Sequence, residues 1–293
     1  MQVLEFTDLE LKSEIQKVLK HGYTFYHEQN LTQSQLVNYC RRIGNTDDDV
    51  LGYMPFNPKD NPDISRVMYK GLFGMADLEW HGDGTMIHIG DFKEILTALY
   101  CVEECRDTVF SLLDQRRSFL DLPNNEKDYW RTVEIQLNNF NYGVFGSIDD
   151  AQKDRADREA IGNMMAHEVK YTMAGKDNEI AVVKDYTIPA HHKGDERMSI
   201  VNVHPIGGEE FLYWQPSLTE RAWKNGKPTD VNIINDKLKK TLDRSIYQKH
   251  FVFKKGDLLI MDQLYTIHRR SHVVNKSREL WRVAFDYTTI IKE

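Results

Sequence analysis

The C-terminal segments HFVFKKGDLLIMDQLYTIH (250–268) and RELWRVAFDYTTI (278–290) break into short apolar runs between polar turns, in the order strand, turn, strand, loop, strand. Strands this short bury their apolar side chains only by pairing into sheets, so the pattern confines the chain to β-rich folds. The same rhythm runs upstream. EILTALYCVEECRDTVFSLL (94–113) reads as a buried strand, a polar turn at Glu103 to Asp107, and a strand or helix start from Thr108. MSIVNVHPIGGEEFLYW (198–214) alternates about a Gly-Gly turn, as a hairpin does. GYTFYHEQ (22–29) and part of SRVMYKGLFGM (65–75) add further strands.

Helical spacing occurs in four places. Leu9, Leu11, Ile15, Val18 and Leu19 mark a helix over 9–20, and Thr32 caps a second whose stripe is Leu36, Val37, Tyr39, Cys40 and Ile43, with Gly44 ending it. DLPNNEKDYWRTVEI (121–135) predicts a helix capped by Asp121 or Asn125, and Val231, Ile234, Leu238, Leu242 and Ile246 predict one amphipathic helix over 230–248. Helices gathered near the start and before the last strands fit a mainly β fold with helices (α+β), a double-stranded β-helix or jelly-roll core with N-terminal and inserted helices. A parallel Rossmann sheet would need a Gly-rich phosphate turn, and neither G-x-G-x-x-G nor G-x-x-x-x-G-K-[ST] occurs. Residues 1–293 are expected to form a single domain, with the heavily charged stretch at about 147–198 as an insertion or lid.

With 41% hydrophobic residues the chain can bury a sizeable core. Thirty-eight scattered basic residues against 45 acidic ones give a net charge of -7, which repels phosphate backbones and sets nucleic acid aside as a partner. No apolar run approaches the ~20 residues of a membrane span. The start, MQVLEFTDLELKSE, is acidic where a signal peptide is basic, so a cytoplasmic protein is expected. Cys40, Cys101 and Cys105 have no zinc or disulfide spacing and read as buried thiols.

LEWHGDG (78–84) carries the chemistry. Chance alone places an acid two positions after roughly two of the 11 histidines, so His81-x-Asp83 needs company to mean more than a polar loop. On an extended chain, side chains two apart point the same way, which makes imidazole and carboxylate adjacent metal ligands, and Gly82 and Gly84 leave space beside them. Two histidines and one carboxylate form the facial triad of non-haem Fe(II) oxygenases. A second histidine is required, and among many candidates His268 stands at the end of the apolar run in KKGDLLIMDQLYTIH. Arg278 and Arg282 follow at a spacing that shares one strand face, and an arginine inside the apolar run ELWRVAF needs an anionic partner such as a dicarboxylate.

These segments together resemble the taurine dioxygenase-like family of Fe(II)- and 2-oxoglutarate-dependent oxygenases. VLKHGYTFYHEQNLTQSQLVNYCRRIG looks like its N-terminal strand and helix, WHGDG like its first metal motif and CRDTVF like its Asp-Thr turn. VNVHPIGGEEFLYW is similar to its His-Pro-x-x-Gly hairpin, GDLLIMDQLYTIH to the strand delivering the distal histidine, and R-x-x-x-R at 278 and 282 to its arginine pair. The resemblance implies that His81, Asp83 and His268 hold Fe(II) and that Thr108 and Arg278 bind the far carboxylate of 2-oxoglutarate. Arg282 is the other arginine for that role, or the reader of a substrate anion. With O2, the implied reaction oxidises an unactivated C–H while 2-oxoglutarate is converted to succinate and CO2. Halogenating relatives lack the carboxylate ligand, so Asp83 points to hydroxylation, desaturation or oxidative ring closure. Arg282 and Arg270 favour an anionic substrate, Asp77 and Glu79 could meet an amine, and Tyr69, Met75 and Trp80 are pocket or packing residues, so the expected partner is a small anionic or amino-acid-like molecule. Two other readings stand beside this one: a cupin-like metal enzyme that does not use 2-oxoglutarate, opposed by Thr108 and Arg278, and a non-catalytic jelly-roll binding protein with structural histidines.

Overall fold

The computed structural model describes residues 2–46, 63–68, 77–83, 95–104, 106–137, 168–172, 180–184, 197–216, 219–275 and 277–291. Helices α1 (Asp8–His21) and α2 (Gln33–Ile43) open with one device. Thr7 and Thr32 accept the N–H of Glu10 and Gln35, whose side chains accept the N–H of the same threonines. Gly44 ends α2 as expected, though not through a left-handed turn: its backbone is extended, and a Cβ there would overlap the Asp286 carbonyl.

In chain order the strands are β1 (Tyr23–Tyr26), β2 (Ser65–Met68), β3 (Leu78–His81), β4 (Leu96–Glu103), β5 (Phe110–Asp114), β6 (Val133–Leu137), β7 (Glu168–Thr172), β8 (Ile180–Lys184) and β9 (Arg197–Ser199). They continue with β10 (Val201–Val203), β11 (Glu210–Leu212), β12 (Thr219–Lys224), β13 (Lys227–Thr229), β14 (Gln248–Phe251), β15 (Leu258–Asp262), β16 (Thr266–Arg270) and β17 (Glu279–Phe285). The remaining helices are α3 (Gln115–Leu120), α4 (Asn124–Arg131), α5 (Val231–Leu242) and α6 (Thr288–Ile291).

One sheet has the order β1-β15-β4-β17-β2 and a second β14-β5-β16-β3, with antiparallel neighbours throughout. Period-two alternation explains their stacking. Leu99, Cys101, Leu259, Met261 and Leu280 of the first sheet pack against Phe110 and Leu112 of the second in one buried cluster. On the opposite face Ala98, Tyr100, Leu258, Ile260 and Val283 join the core built with Leu11, Ile15 and Val18 of α1 and Leu36, Cys40 and Ile43 of α2. Each fully buried aliphatic side chain contributes roughly 1.5–3 kcal/mol. The fold is thus a mixed α and β arrangement of antiparallel sheets, with helices covering one outer face. No helix among the described residues is long and apolar enough to cross a membrane.

Three expectations need correction. The helix expected over 230–248 stops at Leu242: Asp243 leaves helical geometry, Ile246 is exposed, and the chain turns to pair β14 with β5. Sheet pairing outweighs the helical stripe there. The apolar run to His268 is two strands in different sheets, β15 and β16, divided at Gln263–Tyr265. Asp262 fixes that turn by accepting the N–H groups of Leu264 and Tyr265. Finally, α3 lies between β5 and α4, capped by Asp114, which accepts the Arg117 N–H, while α4 begins after Pro123 with no side-chain cap from Asp121 or Asn125.

The Gly-Gly hairpin forms as β10 and β11. Of the stretch 147–198, the structure describes the antiparallel pair β7 and β8 and the first residues of β9; the rest of the expected lid lies outside the described residues.

Candidate metal centre

Strands β3 and β16 pair so that His81 and His268 stand directly opposite each other, their ring centroids 4.3 Å apart. His268 also stacks on Phe110 at 5.1 Å, which fixes its ring plane. Asp83 follows two residues after His81, and ligand atoms of His81, Asp83 and His268 all lie within 4.8 Å of one another. Chain proximity thus joins His81 to Asp83, and the β3–β16 register brings His268 to them.

The donor set suits a divalent first-row metal. His81 Nδ1 lies 2.6 Å from the Glu79 carbonyl, so the N–H sits on Nδ1 and the Nε2 lone pair is left for a ligand. Burial lowers the His81 pKa against the pull of Asp83, and burial with His81 alongside pushes His268 down to about 3, so both rings are neutral ligands at neutral pH. Burial also disfavours an ionised Asp83, but the charge and hydrogen bond of the Arg282 guanidinium outweigh it and hold the carboxyl well below the usual carboxylate range. Two neutral imidazoles and one carboxylate are the ligands this chemistry needs, already deprotonated.

Arg282 Nε donates to Asp83 Oδ2 at 2.8 Å, and His268 Nε2 stands 3.8 Å from Oδ1. The sequence leaves Arg282 to 2-oxoglutarate or to a substrate anion; a guanidinium carries five N–H donors, so the bond to Asp83 is compatible with further partners. Arg270, Arg278 and Arg282 are all buried. Arg270 shares the His268 face of β16 and acts electrostatically on His81, while Arg278 acts on the Cys101 thiol between the sheets, which burial pushes up to about 12. Thr108 is buried and donates to the His272 carbonyl, in the segment leading from β16 towards Arg278. Asp77 is exposed where β3 begins, away from the triad end of that strand, and Trp80 packs in the core under the Arg269 guanidinium. Tyr69 and Met75 lie outside the described residues.

Gln215 and Gln263 were not anticipated. Gln215 Oε1 accepts the Gly82 N–H at 2.9 Å and Gln263 Oε1 the Asp83 N–H at 3.2 Å, so two buried amides grip the metal-motif backbone. The available signal was a lone amide inside each apolar run, FLYWQ and LIMDQLY, where burial demands a hydrogen-bond partner.

A family model described as taurine catabolism dioxygenase TauD, TfdA family matches residues 2–284. Among solved structures, a taurine dioxygenase from Burkholderia xenovorans aligns with a TM-score of 0.64 at 15% identity, covering 98% of this chain and 84% of that one. AAD-2 in complex with Mn(II) and N-oxalylglycine aligns with a TM-score of 0.62 at 13% identity, covering 97% and 90%. At these identities the structural likeness speaks for the fold alone. No curated protein sequence matches. The family match spans nearly the whole length, including the paired histidines and Asp83, and the chain belongs to the taurine catabolism dioxygenase TauD, TfdA family.

Proposed function

We propose that this dioxygenase oxidises an unactivated C–H of a small anionic or amino-acid-like substrate, by hydroxylation, desaturation or oxidative ring closure, within a double-stranded β-helix core. As an enzyme of its family it uses Fe(II), 2-oxoglutarate and O2. The observation that carries the reading is the triad: His81 opposite His268 in register, Asp83 beside them, and each group in its ligating protonation state. His81 through Nε2, Asp83 and His268 would hold Fe(II), and Thr108 and Arg278 would bind the far carboxylate of 2-oxoglutarate. When bound, the metal and co-substrate supply the oxidising chemistry that ends in succinate and CO2.

The chain's own residues do the rest. Arg282 keeps Asp83 ionised, so no proton need leave as metal arrives. Glu79 sets the His81 tautomer, and Phe110 fixes the His268 plane. Arg270 and Arg282 would meet the substrate's anionic group, each as a guanidinium fork matching a carboxylate or similar oxyanion. Position then decides which hydrogen reacts.

The test is anaerobic addition of Fe(II) and 2-oxoglutarate to metal-free protein, following the weak visible charge-transfer band of the chelate. The band is expected, and is expected to vanish in Arg278→Ala at low co-substrate. Iron binding without a band would instead favour a cupin-like enzyme that does not use 2-oxoglutarate.

A further inference from the structure

Three buried glutamines converge behind the metal motif. Gln215, in the segment after β11, and Gln263, in the turn between β15 and β16, each accept one N–H of the Gly82-Asp83 pair. Gln115, at the first position of α3, ties their carrier segments together: its Oε1 accepts the Trp214 N–H at 2.8 Å and its Nε2 donates to the Leu264 carbonyl at 3.4 Å. Its own N–H donates to the Tyr265 carbonyl at 2.8 Å. All three side chains are fully buried.

The carboxamides of Gln215 and Gln263 can be oriented only one way, because the oxygen must face a backbone N–H. Their Nε2 atoms then point away, and both are buried without a hydrogen-bond partner among the described residues. A buried amide that leaves its donors unused is retained for its oxygen. Here the two oxygens serve the consecutive peptide nitrogens of Gly82 and Asp83, while His81 on the preceding side is fixed by its own Glu79 contact.

We propose that Gln215 and Gln263, spaced by Gln115, are positioning residues that set the Asp83 carboxylate against the two histidines. This rests on the metal reading above. Without the brace, the Gly82-Asp83 backbone loses both anchors that hold it to β15 and β11, and Asp83 searches a wider range of positions before it can ligate. Groups that orient metal ligands in this way typically change metal affinity about 10- to 100-fold when removed.

The experiment is a Co(II) titration of the full, metal-free chain, read by the visible absorption of the bound ion without co-substrate. Gln215→Met and Gln263→Met are expected to weaken Co(II) binding by about 10- to 100-fold and to alter its spectrum. The double variant should lose less than the product of the two, since both anchor one stretch of backbone. Gln263→Glu keeps an acceptor oxygen for the Asp83 N–H and replaces Nε2 with an oxygen that is protonated or negatively charged. Neither form removes the brace and a negative charge favours a cation, so it should bind Co(II) at least as tightly as the parent. Wild-type affinity and spectrum in both Met variants, with circular dichroism unchanged, would overturn the proposal. If a Met variant does not fold, Gln263→Glu decides: with its circular dichroism matching the parent, weakened Co(II) binding despite the retained acceptor oxygen would overturn the proposal. Asp83→Ala separates the two levels: undiminished Co(II) binding in that variant overturns the metal reading itself.

Discussion

Arg282 Nε and Asp83 Oδ2 are 2.8 Å apart, so the carboxylate that faces the two histidines is also one half of a partly buried ion pair. Asp83 depends on Arg282 for its charge, since burial alone would favour the neutral acid. Arg282→Met should therefore cost about 1–3 kcal/mol in stability through the carboxylate left without its partner. The sign with pH follows from the lowered Asp83 pKa. Its contribution is present above the ordinary carboxylate range and lost only as pH falls through the depressed value, so parental Co(II) affinity should fall little between about pH 7 and 5. In Arg282→Met the Asp83 pKa rises, and titrations across that range should show affinity falling steeply with acid. Parallel pH profiles in the two proteins would mean that Arg282 does not govern the ligand.

His268 gives a dependence of the same sign in metal-free protein, setting in at higher pH. Its folded-state pKa is about 3, from burial and the neighbouring His81, against about 6.5 in an unfolded chain. Below about 6.5 the unfolded state takes up a proton that the folded state refuses, so stability is lost as pH falls, by about 1.4 kcal/mol per pH unit. Urea denaturation of chelator-treated protein should show roughly 2 kcal/mol lost from this residue between pH 7 and 5, and His268→Leu should remove that part of the slope. An unchanged slope in the variant would show that His268 is accessible to protons in the folded state.

Local signals carried the metal motif, and long-range pairing carried what sequence left open. His81 and Asp83 could be read together because two residues on an extended chain share a face, whereas the opposition of His81 and His268 exists only in the β3–β16 register. Thr32 and Gly44 announce the two ends of α2 through local chemistry. Leu242 does not, because the stripe reaching Ile246 is overruled by the pairing of β14 with β5. The turn at Gln263 was hidden for a related reason: Asp262 makes it with one carboxylate inside an otherwise apolar run, and nothing in the run shows that the chain changes sheets there. Gln215 and Gln263 escaped because their partners are backbone nitrogens, which have no residue type to match.

Asp114 caps α3 by accepting the Arg117 N–H, yet burial pushes its carboxyl up to about 6 despite that bond and the nearby Arg116 and Arg117. A folded-state pKa above the unfolded value of about 3.9 means that ionisation is harder in the folded state, so the penalty is absent below about pH 4 and complete above about pH 6. Asparagine caps as well as aspartate and carries no charge. Asp114→Asn should gain about 3 kcal/mol at pH 8 and nothing at pH 4. Equal gains at both values would point to a cause other than ionisation.

The network around Asp262 links the hairpin, the C-terminal segment and the strand bearing His268. Oδ2 accepts from His204 Nε2 at 2.9 Å and from the Tyr287 hydroxyl at 2.6 Å, while Oδ1 accepts the N–H groups of Leu264 and Tyr265. His204 Nδ1 accepts the N–H groups of Ile206 and Gly207, which places its proton on Nε2, facing Asp262. Tyr287→Phe removes one of four donors from a carboxylate that keeps three, and should cost about 1–3 kcal/mol with little effect on metal affinity. Asp262→Ala leaves all four donors buried without an acceptor and releases the turn that starts β16. It should cost more than about 4 kcal/mol and weaken Co(II) binding through misplacement of His268. Denaturation midpoints and Co(II) titrations on both variants separate the two effects. If Asp262→Ala bound Co(II) as tightly as the parent, Phe110 stacking and the β3–β16 register would suffice to place His268 without the turn.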